Sequence, residues 1–439
     1  MNNLADIQLE SFSNVYPAYY EQEGRRTAKT VTFVVTEDCT LRCSYCYECH
    51  KNKENRMLFE TAKKCVDLMF EEDAKNTSIF GKDASSAVIL DFIGGEPLLE
   101  IKLIDQIIEY FLKKAIELDH RWKTEYMISM ISNGTQYFTE PVQDFIKKYD
   151  GRLSFSVTID GNKQLHDSCR LFPDGSPSFD LAQAAYKDAL SKGLCSATKM
   201  TIAPSNLPFL SEALKELIMY EGASLLPANP VYEEEWTIEQ ARMFYDQLKD
   251  FALWNIENEV YKSKSTTLFE RMYLGKKNDD DKNWCGGTCQ MLAFAPNGDI
   301  YPCVRYLPFS LRNKDKRKKM LLGHCNHGLL NNDLEKKRFE FLESITRTSQ
   351  SEQKCNECPI SMGCGWCSGW NYDYYGTPNK RFTGICNMHK ARVLANVLYW
   401  NLLYRKLELD ERFPMNIPKE WAVEIVGESE YEYLKALAE

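Results

Sequence analysis

The sequence predicts an α/β protein in which parallel strands alternate with helices, followed by a smaller cysteine-rich domain. Two observations lead to this prediction. From residue 29 to about residue 228, short apolar runs rich in β-branched residues alternate with longer amphipathic runs, which is typical of β/α units. The 16 cysteines form one tight group near the N-terminus and a larger group in the last third of the chain.

The predicted strands and helices follow one another in order. Strands are expected at residues 29–36, 87–93, 126–132, 153–159, 197–203 and 224–228. Helices are expected between them at 58–70, 101–118, 141–148, 179–192 and 209–220. The strands are followed by polar or glycine-containing loops at 39–46, 94–96, 132–134 and 160–161. Because sites in parallel β/α folds gather at the C-terminal ends of strands, these loops predict one shared site.

The rest of the chain is mostly helical outside the second cysteine group. Thr237 and Gln240 form a capping-box pattern, which predicts a bridging helix over 237–260. Helices are also expected at 390–407 and 430–437. The basic stretch 312–319 is interpreted as a solvated surface loop, with a peptide-docking patch as the alternative.

Composition excludes several classes of protein. A hydrophobic content of 44% supports a packed core, and a net charge of -9 argues against nucleic acid as the main partner. The sequence has neither an apolar run near the roughly 18 residues of a membrane span nor a signal-peptide pattern. We therefore expect a cytoplasmic protein without a membrane partner. In such a chain the many cysteines indicate metal or redox chemistry, because a disulfide framework belongs to secreted proteins.

The first cysteine group suits an iron–sulfur cluster. Cys39, Cys43 and Cys46 are separated by three and two residues and follow a predicted strand directly. A cubane cluster has four irons, so three cysteine ligands leave one iron open to a substrate or cofactor. The alternative is a zinc site, for which Cys49 or His50 could supply the fourth ligand.

This cysteine spacing, with Tyr45 before the last cysteine, resembles the signature of the radical S-adenosylmethionine (SAM) enzymes. The stretches FIGGEPLL, SNGT and TIDGNKQLHDSCR also resemble elements of that family, and the resemblance covers residues 30–235. It implies a partial (β/α)6 barrel in which SAM chelates the open iron and is cleaved to a 5′-deoxyadenosyl radical. It also implies a SAM pocket formed by Gly94, Gly95, Glu96, Ser132, Asn133, Thr158, Asp160 and Arg170.

Two of these side chains suit SAM for chemical reasons as well. Glu96 offers an acceptor for an ammonium group, and Arg170 offers a donor for a carboxylate. A surface salt bridge is the alternative interpretation of Arg170.

The second cysteine group resembles the SPASM domain, a two-cluster extension of radical SAM enzymes that modify peptides and proteins. The resemblance implies two ligand sets: Cys285, Cys289, Cys303 and Cys367 for the first auxiliary cluster, and Cys355, Cys358, Cys364 and Cys386 for the second. Together with the first group, three 4Fe-4S clusters are expected. The spacing departs from the family once, between Cys364 and Cys367, and Cys289 is the weakest ligand because it lies inside the motif gap. If Cys289 is not a ligand, the first auxiliary cluster has an open iron; a structural zinc ribbon is the alternative for the whole group.

The cysteine groups and predicted elements divide the chain into five segments. We expect an N-terminal extension (1–29), the radical SAM barrel (30–235), a bridging helix and linker (236–284), the SPASM domain (285–390) and a helical tail (391–439). The extension is too short for the winged-helix domain with which many peptide maturases bind a leader peptide. Leader recognition is therefore expected to use another surface or a separate protein.

The resemblance favours maturation of a ribosomally made peptide. In sulfatase maturases, an Asp base follows the cysteine of the GxxYxC element, but here Val304 follows Cys303 and cannot accept a proton. The C-terminal tail resembles that of maturases that form thioethers in Cys-rich peptides with Cys-x3 repeats. We therefore expect a Cys-rich precursor peptide as substrate and a flavodoxin or ferredoxin as reductant. The alternatives are formylglycine formation, carbon–carbon crosslinking and a non-catalytic electron carrier.

Overall fold

The structure is a computed structural model that describes residues 28–81, 85–195, 197–270, 281–282 and 286–439. The expected cluster ligand Cys285 and all but the last two residues of the N-terminal extension lie outside these residues.

The described strands are short after the first half of the chain. They are β1 (Ala28–Glu37), β2 (Asn52–Arg56), β3 (Ala87–Gly94), β4 (Tyr126–Ser132), β5 (Leu153–Val157), β6 (Met200–Ile202), β7 (Leu225–Leu226), β8 (Ala228–Pro230), β9 (Ser265–Thr266), β10 (Leu292–Phe294), β11 (Asp299–Tyr301), β12 (Gly323–His324) and β13 (Gly328–Leu329).

The described α-helices flank these strands and dominate the C-terminus. They are α1 (Phe59–Ala74), α2 (Ile101–Glu117), α3 (Glu140–Lys148), α4 (Lys163–Cys169), α5 (Phe179–Ser191), α6 (Leu210–Ile218), α7 (Ile238–Glu257), α8 (Asp333–Glu343), α9 (Gln353–Asn356), α10 (Ser368–Tyr375), α11 (Cys386–Lys406), α12 (Lys419–Val426) and α13 (Glu428–Ala438).

One sheet joins the two halves of the chain. Its strand order is β13-β12-β11-β10-β1-β3-β4-β5, with β2 paired to the end of β1. The strands β1, β3, β4 and β5 are parallel, as the alternation of strands and helices predicts. Strand β10 from the second cysteine region also pairs in parallel with β1. Segments 30–235 and 285–390 therefore share a sheet.

A row of phenylalanines crosses this junction. Phe33 of β1 pairs in register with Phe92 of β3 on one side and with Phe294 of β10 on the other. The ring centroids are 5.6 Å and 5.2 Å apart, respectively, and all three side chains are fully buried. Because buried aromatic rings in contact contribute strongly to a core, this row fixes the second region against the first.

The predicted elements differ from the structure mainly in length. The strand expected at 153–159 ends at Val157, and the one expected at 197–203 is reduced to Met200–Ile202. Single bridges from Thr158 to Lys199 and from Ala197 to Leu225 continue the strand pairing past β5. The hydrophobic runs extend beyond the hydrogen-bonded pairing, so they overestimate strand length.

The helices predicted after residue 236 agree better with the structure. The capping box of Thr237 is present, and α7 begins directly after it. Helix α11 is buried along most of its length and packs against α7. In the part of the chain that the structure describes, every helix is too short or too polar to span a membrane.

Candidate active site

A cavity of about 600 Å³ lies where the expected site loops meet. On one side are the loop that follows β1 and the C-terminal ends of β3 and β4, represented by Cys39, Gly94 and Ser132. On the other side are Cys303 and Cys367 from the second cysteine group. The cavity therefore brings together the two cysteine groups that the sequence separates by more than 200 residues.

The loop after β1 places three thiols on the cavity wall. Cys39, Cys43 and Cys46 all line it. The Sγ of Cys39 accepts a hydrogen bond from the backbone N–H of Leu41 at 3.4 Å, and Lys51 Nζ donates to the Sγ of Cys46 at 3.3 Å. Burial raises the pKa of the Cys39 thiol to about 12. A positive ion at this wall would therefore be needed to stabilise the thiolate.

Gly95 allows two loops to touch. A Cβ at this position would lie 2.1 Å from the carbonyl oxygen of Asp38 and 2.7 Å from the Cβ of Cys39. The contact is held by backbone hydrogen bonds from Gly95 to Thr36 (3.1 Å) and from Glu96 to Asp38 (2.8 Å). Only glycine fits here without moving the cysteine loop.

Glu96 connects the loops after β3 and β4. Its side chain is 1% exposed, and it accepts hydrogen bonds from Ser132 Oγ (2.7 Å), the backbone N–H of Asn133 (2.8 Å) and that of Leu98 (3.1 Å). Burial raises the pKa of the Glu96 carboxyl, while these donors oppose the rise. All three donors are uncharged, so the carboxylate remains available to a cationic ligand in the cavity.

Arg170 is not the surface salt bridge of the alternative interpretation. It is buried and lines the cavity, and its Nη1 donates to the Tyr45 hydroxyl at 2.7 Å. Asp160 lies behind it, with Oδ2 3.7 Å from Arg170 and within hydrogen-bond contact of the Tyr45 hydroxyl. Unlike the other seven expected SAM-pocket residues, Asp160 does not line the cavity.

The expected zinc alternatives, Cys49 and His50, point elsewhere. Cys49 Sγ contacts the carbonyl oxygen of Phe309 at 3.7 Å, and His50 Nε2 lies 3.0 Å from that of Leu311. Neither lines the cavity with the three cysteines. These contacts connect the residues to the second cysteine region instead.

The second cysteine group is divided in the structure. The ionisation of Cys364 is influenced by Cys386, Cys358 and Cys355, and burial is the main cause that raises the pKa of its thiol to about 12. Among the described residues, no three His, Cys, Asp or Glu side chains are spaced to hold a metal ion as they stand. Cys303 and Cys367 line the cavity, with Arg305 beside both.

Unlike Cys303 and Cys367, Cys289 does not line the cavity. It is buried in a left-handed conformation (φ 77°), and the charged groups that influence its ionisation are Glu343 and Lys29. Burial is again the main cause that raises the pKa of its thiol, to about 12.

Comparisons with known proteins agree with this arrangement. The family described as a 4Fe-4S single cluster domain matches residues 23–170, which include the three cysteines after β1. An uncharacterized protein of Methanocaldococcus jannaschii is 28% identical over 198 residues, which are 45% of this chain and 61%, less than two thirds, of that protein.

Two longer matches have descriptive names. The radical SAM cyclopropyl synthase TigE of Paramaledivibacter caminithermalis is 20% identical over 403 residues, 87% of this chain and 78% of that protein. The antilisterial bacteriocin subtilosin biosynthesis protein AlbA of Bacillus subtilis is 21% identical over 372 residues, 84% of this chain and 72% of that protein.

Solved structures share the fold. The structure of anSMEcpe with bound AdoMet superposes with a TM-score of 0.62 at 18% identity, covering 91% of this chain and 98% of that one. Streptococcus suis SuiB bound to precursor peptide SuiA gives a TM-score of 0.52 at 14% identity, covering 87% of this chain and 80% of that one. The predicted resemblance to radical SAM/SPASM peptide maturases is confirmed.

Several cavity residues were missed by sequence reasoning. Lys51, Lys199 and Arg305 line the cavity together with the acidic residues Glu233 and Glu270. Lys51 lies only five residues after Cys46, so its closeness to the cysteine motif in the sequence could have identified it as a site candidate. The others belong to no recognised motif, and their positions depend on long-range packing.

Proposed function

We propose that the chain is a radical SAM enzyme that modifies a ribosomally made, Cys-rich precursor peptide by forming thioether crosslinks at cysteines. The observation that supports this proposal is the single cavity that contains Cys39, Cys43 and Cys46 on one wall and Cys303 and Cys367 on the other. A purely electron-carrying protein would not need a cavity of this size between two such groups.

The residues around the first three cysteines fit a cluster and SAM. Three thiols can hold a cluster with one open iron. The buried carboxylate of Glu96 accepts its protein hydrogen bonds from uncharged groups, and Arg170 has a buried Nε without a hydrogen-bond partner among the described residues. An amino acid zwitterion would complement both groups. When bound, the cluster and SAM would supply the one-electron chemistry that removes a hydrogen atom from the substrate.

The pocket residues would have different roles in binding SAM. Gly94 and Gly95 let the loops approach, Glu96 would accept from the amino group, and Arg170 would donate to the carboxylate. Ser132, Asn133 and Thr158 line the same cavity and would complete the pocket. Asp160 would act indirectly, by holding Tyr45 and Arg170 in place.

The second cysteine group would hold two auxiliary clusters, which brings the proposed total to three 4Fe-4S clusters. Cys355, Cys358, Cys364 and Cys386 would hold one, which is supported by the influence of these thiols on one another's ionisation. The other would use Cys303 and Cys367 with Cys285 and Cys289. The charged surroundings of Cys289 make it the least supported member of this set.

Peptide modification is supported by the names of similar proteins. AlbA acts in the biosynthesis of a bacteriocin, and SuiB is seen with a precursor peptide. By analogy, this chain would take a precursor peptide and would receive electrons from a flavodoxin or ferredoxin in the cytoplasm.

Two observations favour other products. TigE is named a cyclopropyl synthase, which favours carbon–carbon bond formation. The match to anSMEcpe, a sulfatase maturase, favours formylglycine formation. Against the latter, Val304 lines the cavity next to Cys303, and valine cannot act as a base.

Mass spectrometry of a co-expressed Cys-rich peptide tests the proposal. The peptide should lose two hydrogens per crosslink, and the crosslinked cysteine should resist alkylation. The same mass loss with an alkylatable cysteine would indicate a carbon–carbon crosslink. Conversion of a sulfatase-derived cysteine peptide to formylglycine would show that the sulfatase alternative is right. Co-expression with the Cys39→Ala, Cys43→Ala, Cys46→Ala variant is the control, and it should leave every peptide unmodified.

A further inference from the structure

Most charged side chains on the cavity wall are already paired within the protein. Three ion pairs line it: Lys51 with Glu48 (3.5 Å), Arg392 with Glu270 (2.8 Å), and Arg305 with Glu233. Arg170, also on the wall, is paired with Asp160 behind it (3.7 Å). Each of these four cations therefore has a carboxylate partner within the protein, and Arg170 also keeps a buried Nε without a hydrogen-bond partner among the described residues.

Two charged residues of the cavity wall, Glu96 and Lys199, form no ion pair within 4 Å among the described residues. Glu96 has only uncharged donors around it. Lys199 is the cation on this wall that has no direct partner in the part of the chain that the structure describes. Among the described residues, no carboxylate lies within 4 Å of its ammonium group, and the ammonium group donates no hydrogen bond. Charged neighbours act on the Lys199 ammonium group in opposite directions: Asp160 and Asp91 favour its protonated form, and Arg170 and Arg305 disfavour it.

Lys199 stands beside the expected SAM pocket. It forms a parallel bridge with Thr158, and both residues line the cavity together with Thr201. Burial lowers the pKa of the Lys199 ammonium group below its ordinary value. A partly buried ammonium group that has no direct ion pair loses hydration without full compensation, so a carboxylate ligand in the cavity would stabilise it.

We propose that Lys199 binds a carboxylate group of a reactant held in this cavity. The inference rests on the proposed function, because it assumes that the cavity holds the reactants. The carboxylate belongs either to an acidic side chain of the substrate peptide or to SAM itself. Both sources present the same chemistry to an ammonium group, so binding measurements must separate them.

The first experiment compares SAM with decarboxylated SAM. Anaerobically reconstituted wild type and Lys199→Met are examined by equilibrium dialysis with each compound. If Lys199 holds the SAM carboxylate, the variant should bind SAM about tenfold more weakly and decarboxylated SAM with unchanged affinity. Lys199→Arg should keep part of the preference, since it retains a cationic donor.

The second experiment uses two probe peptides labelled with a fluorophore. Each carries one cysteine and either one Asp or one Asn, and fluorescence anisotropy measures their binding. If Lys199 holds a peptide carboxylate, wild type should prefer the Asp peptide by about tenfold, and Lys199→Met should lose that preference. Lys113→Met is the matched control: this lysine is exposed and lies on α2, outside the cavity, so both preferences should survive.

The outcomes distinguish this inference from the proposed function. A Lys199→Met protein that keeps both the SAM preference and the Asp preference of wild type would overturn the carboxylate assignment. The same conclusion would follow if the variant only gained thermal stability. Absence of SAM binding in the wild type would instead contradict the proposed function, while the Asp and Asn peptides would still measure the role of Lys199. Lys199→Gln provides a second neutral variant if Lys199→Met does not fold.

Discussion

Arg170 donates a hydrogen bond from Nη1 to the hydroxyl oxygen of Tyr45 at 2.7 Å, across 125 residues of sequence. Tyr45 lies between the second and third cysteines of the loop after β1, and Arg170 follows α4 directly. The Tyr45 hydroxyl also contacts the Asp160 carboxylate. The phenol therefore links the cysteine loop to Arg170 and Asp160, next to the backbone hydrogen bonds from Arg42 to Leu171 (2.7 Å) and from Ser44 to Cys169 (3.0 Å).

Tyr45→Phe should loosen this connection. The ring remains, but Arg170 and Asp160 lose a buried partner, so we expect the free energy of unfolding to fall by about 1–3 kcal/mol. Urea denaturation measures this change. Tyr433→Phe, at a position 45% exposed, is the control and should differ from wild type by less than about 0.5 kcal/mol. Equal stability of the two variants would show that the Tyr45 hydroxyl does not hold the loop.

Glu96→Gln should weaken SAM binding. The amide keeps the shape of the side chain, but it removes the negative charge and places an N–H donor among the donors Ser132 Oγ and the backbone of Asn133. The loss of a charged hydrogen bond predicts a decrease in SAM affinity of about 10- to 100-fold. Equilibrium dialysis of the reconstituted enzyme measures it. Glu100→Gln, which removes a pair with Arg56 outside the cavity, should bind SAM as wild type does.

Stability should decrease in acid because His166 is buried in its neutral form. Burial is the main cause that lowers its pKa from 6.5 to about 3, with Arg170 contributing. Its Nδ1 faces the backbone N–H of Asp160 at 3.4 Å, and its Nε2 lies 3.1 Å from Ser178 Oγ. The unfolded chain therefore binds a proton below pH 6.5 that the folded protein binds only near pH 3.

Stabilisation by neutral His166 is present above pH 6.5 and is lost as the pH falls towards 3, by about 2 kcal/mol between pH 7 and 5. His166→Gln should remove that part of the pH dependence in urea denaturation, whereas the variant of an exposed residue, His327→Gln, should keep it. Identical pH profiles for wild type and His166→Gln would contradict a buried neutral imidazole.

The sequence predicted the parallel β/α half and the gathering of its loops well. Cys39 follows β1, and Gly94 and Ser132 end β3 and β4. All three strands show a clear apolar pattern, so the positions of these residues at one end of the sheet follow from local sequence. The Thr237 cap was predicted for the same reason, because its signal is confined to four residues.

Other features depend on contacts that no local pattern reveals. Strand β10 has three residues and pairs with β1 at Val31, Thr32 and Phe33, about 260 residues away, so the shared sheet could not be predicted. Which side of Arg170 meets Asp160, and which side faces the cavity, depends on side-chain packing. Lys199 lies in a predicted strand, where nothing distinguishes a cavity-facing lysine from an exposed one.

Replacing Cys39, Cys43 and Cys46 together by Ala should remove one cluster and leave the others. The second cysteine group has its own thiols, of which Cys303 and Cys367 face the cavity from the other side. Iron and sulfide assays after anaerobic reconstitution should show a loss of about one third relative to wild type. SAM cleavage on reduction should disappear. Stoichiometric zinc in the wild type, without charge-transfer absorbance, would contradict the assignment of iron–sulfur clusters.

Gly95→Ala should disturb the first cysteine group without changing any of its ligands. The added methyl group would lie 2.1 Å from the carbonyl oxygen of Asp38 and 2.7 Å from the Cβ of Cys39, and a backbone carbonyl cannot move aside as a flexible side chain could. The cysteine loop must shift, which should lower the free energy of unfolding by about 1–3 kcal/mol and weaken retention of iron. The measurement is the rate of iron loss to a chelator, together with urea denaturation.

Gly193→Ala is the control that separates a loss of stability from a loss of iron. Its Cβ would meet no atom within 4 Å, but its φ of +67° makes alanine unfavourable by about 1 kcal/mol. It should therefore lose stability and keep the iron retention of wild type, because Gly193 lies far in sequence from the cysteine loop and does not line the cavity. If Gly95→Ala lost iron no faster than Gly193→Ala, close approach at Gly95 would not be what positions the cysteines. Faster iron loss in Gly95→Ala alone would show that the contact between the loops after β1 and β3 holds the three thiols in place.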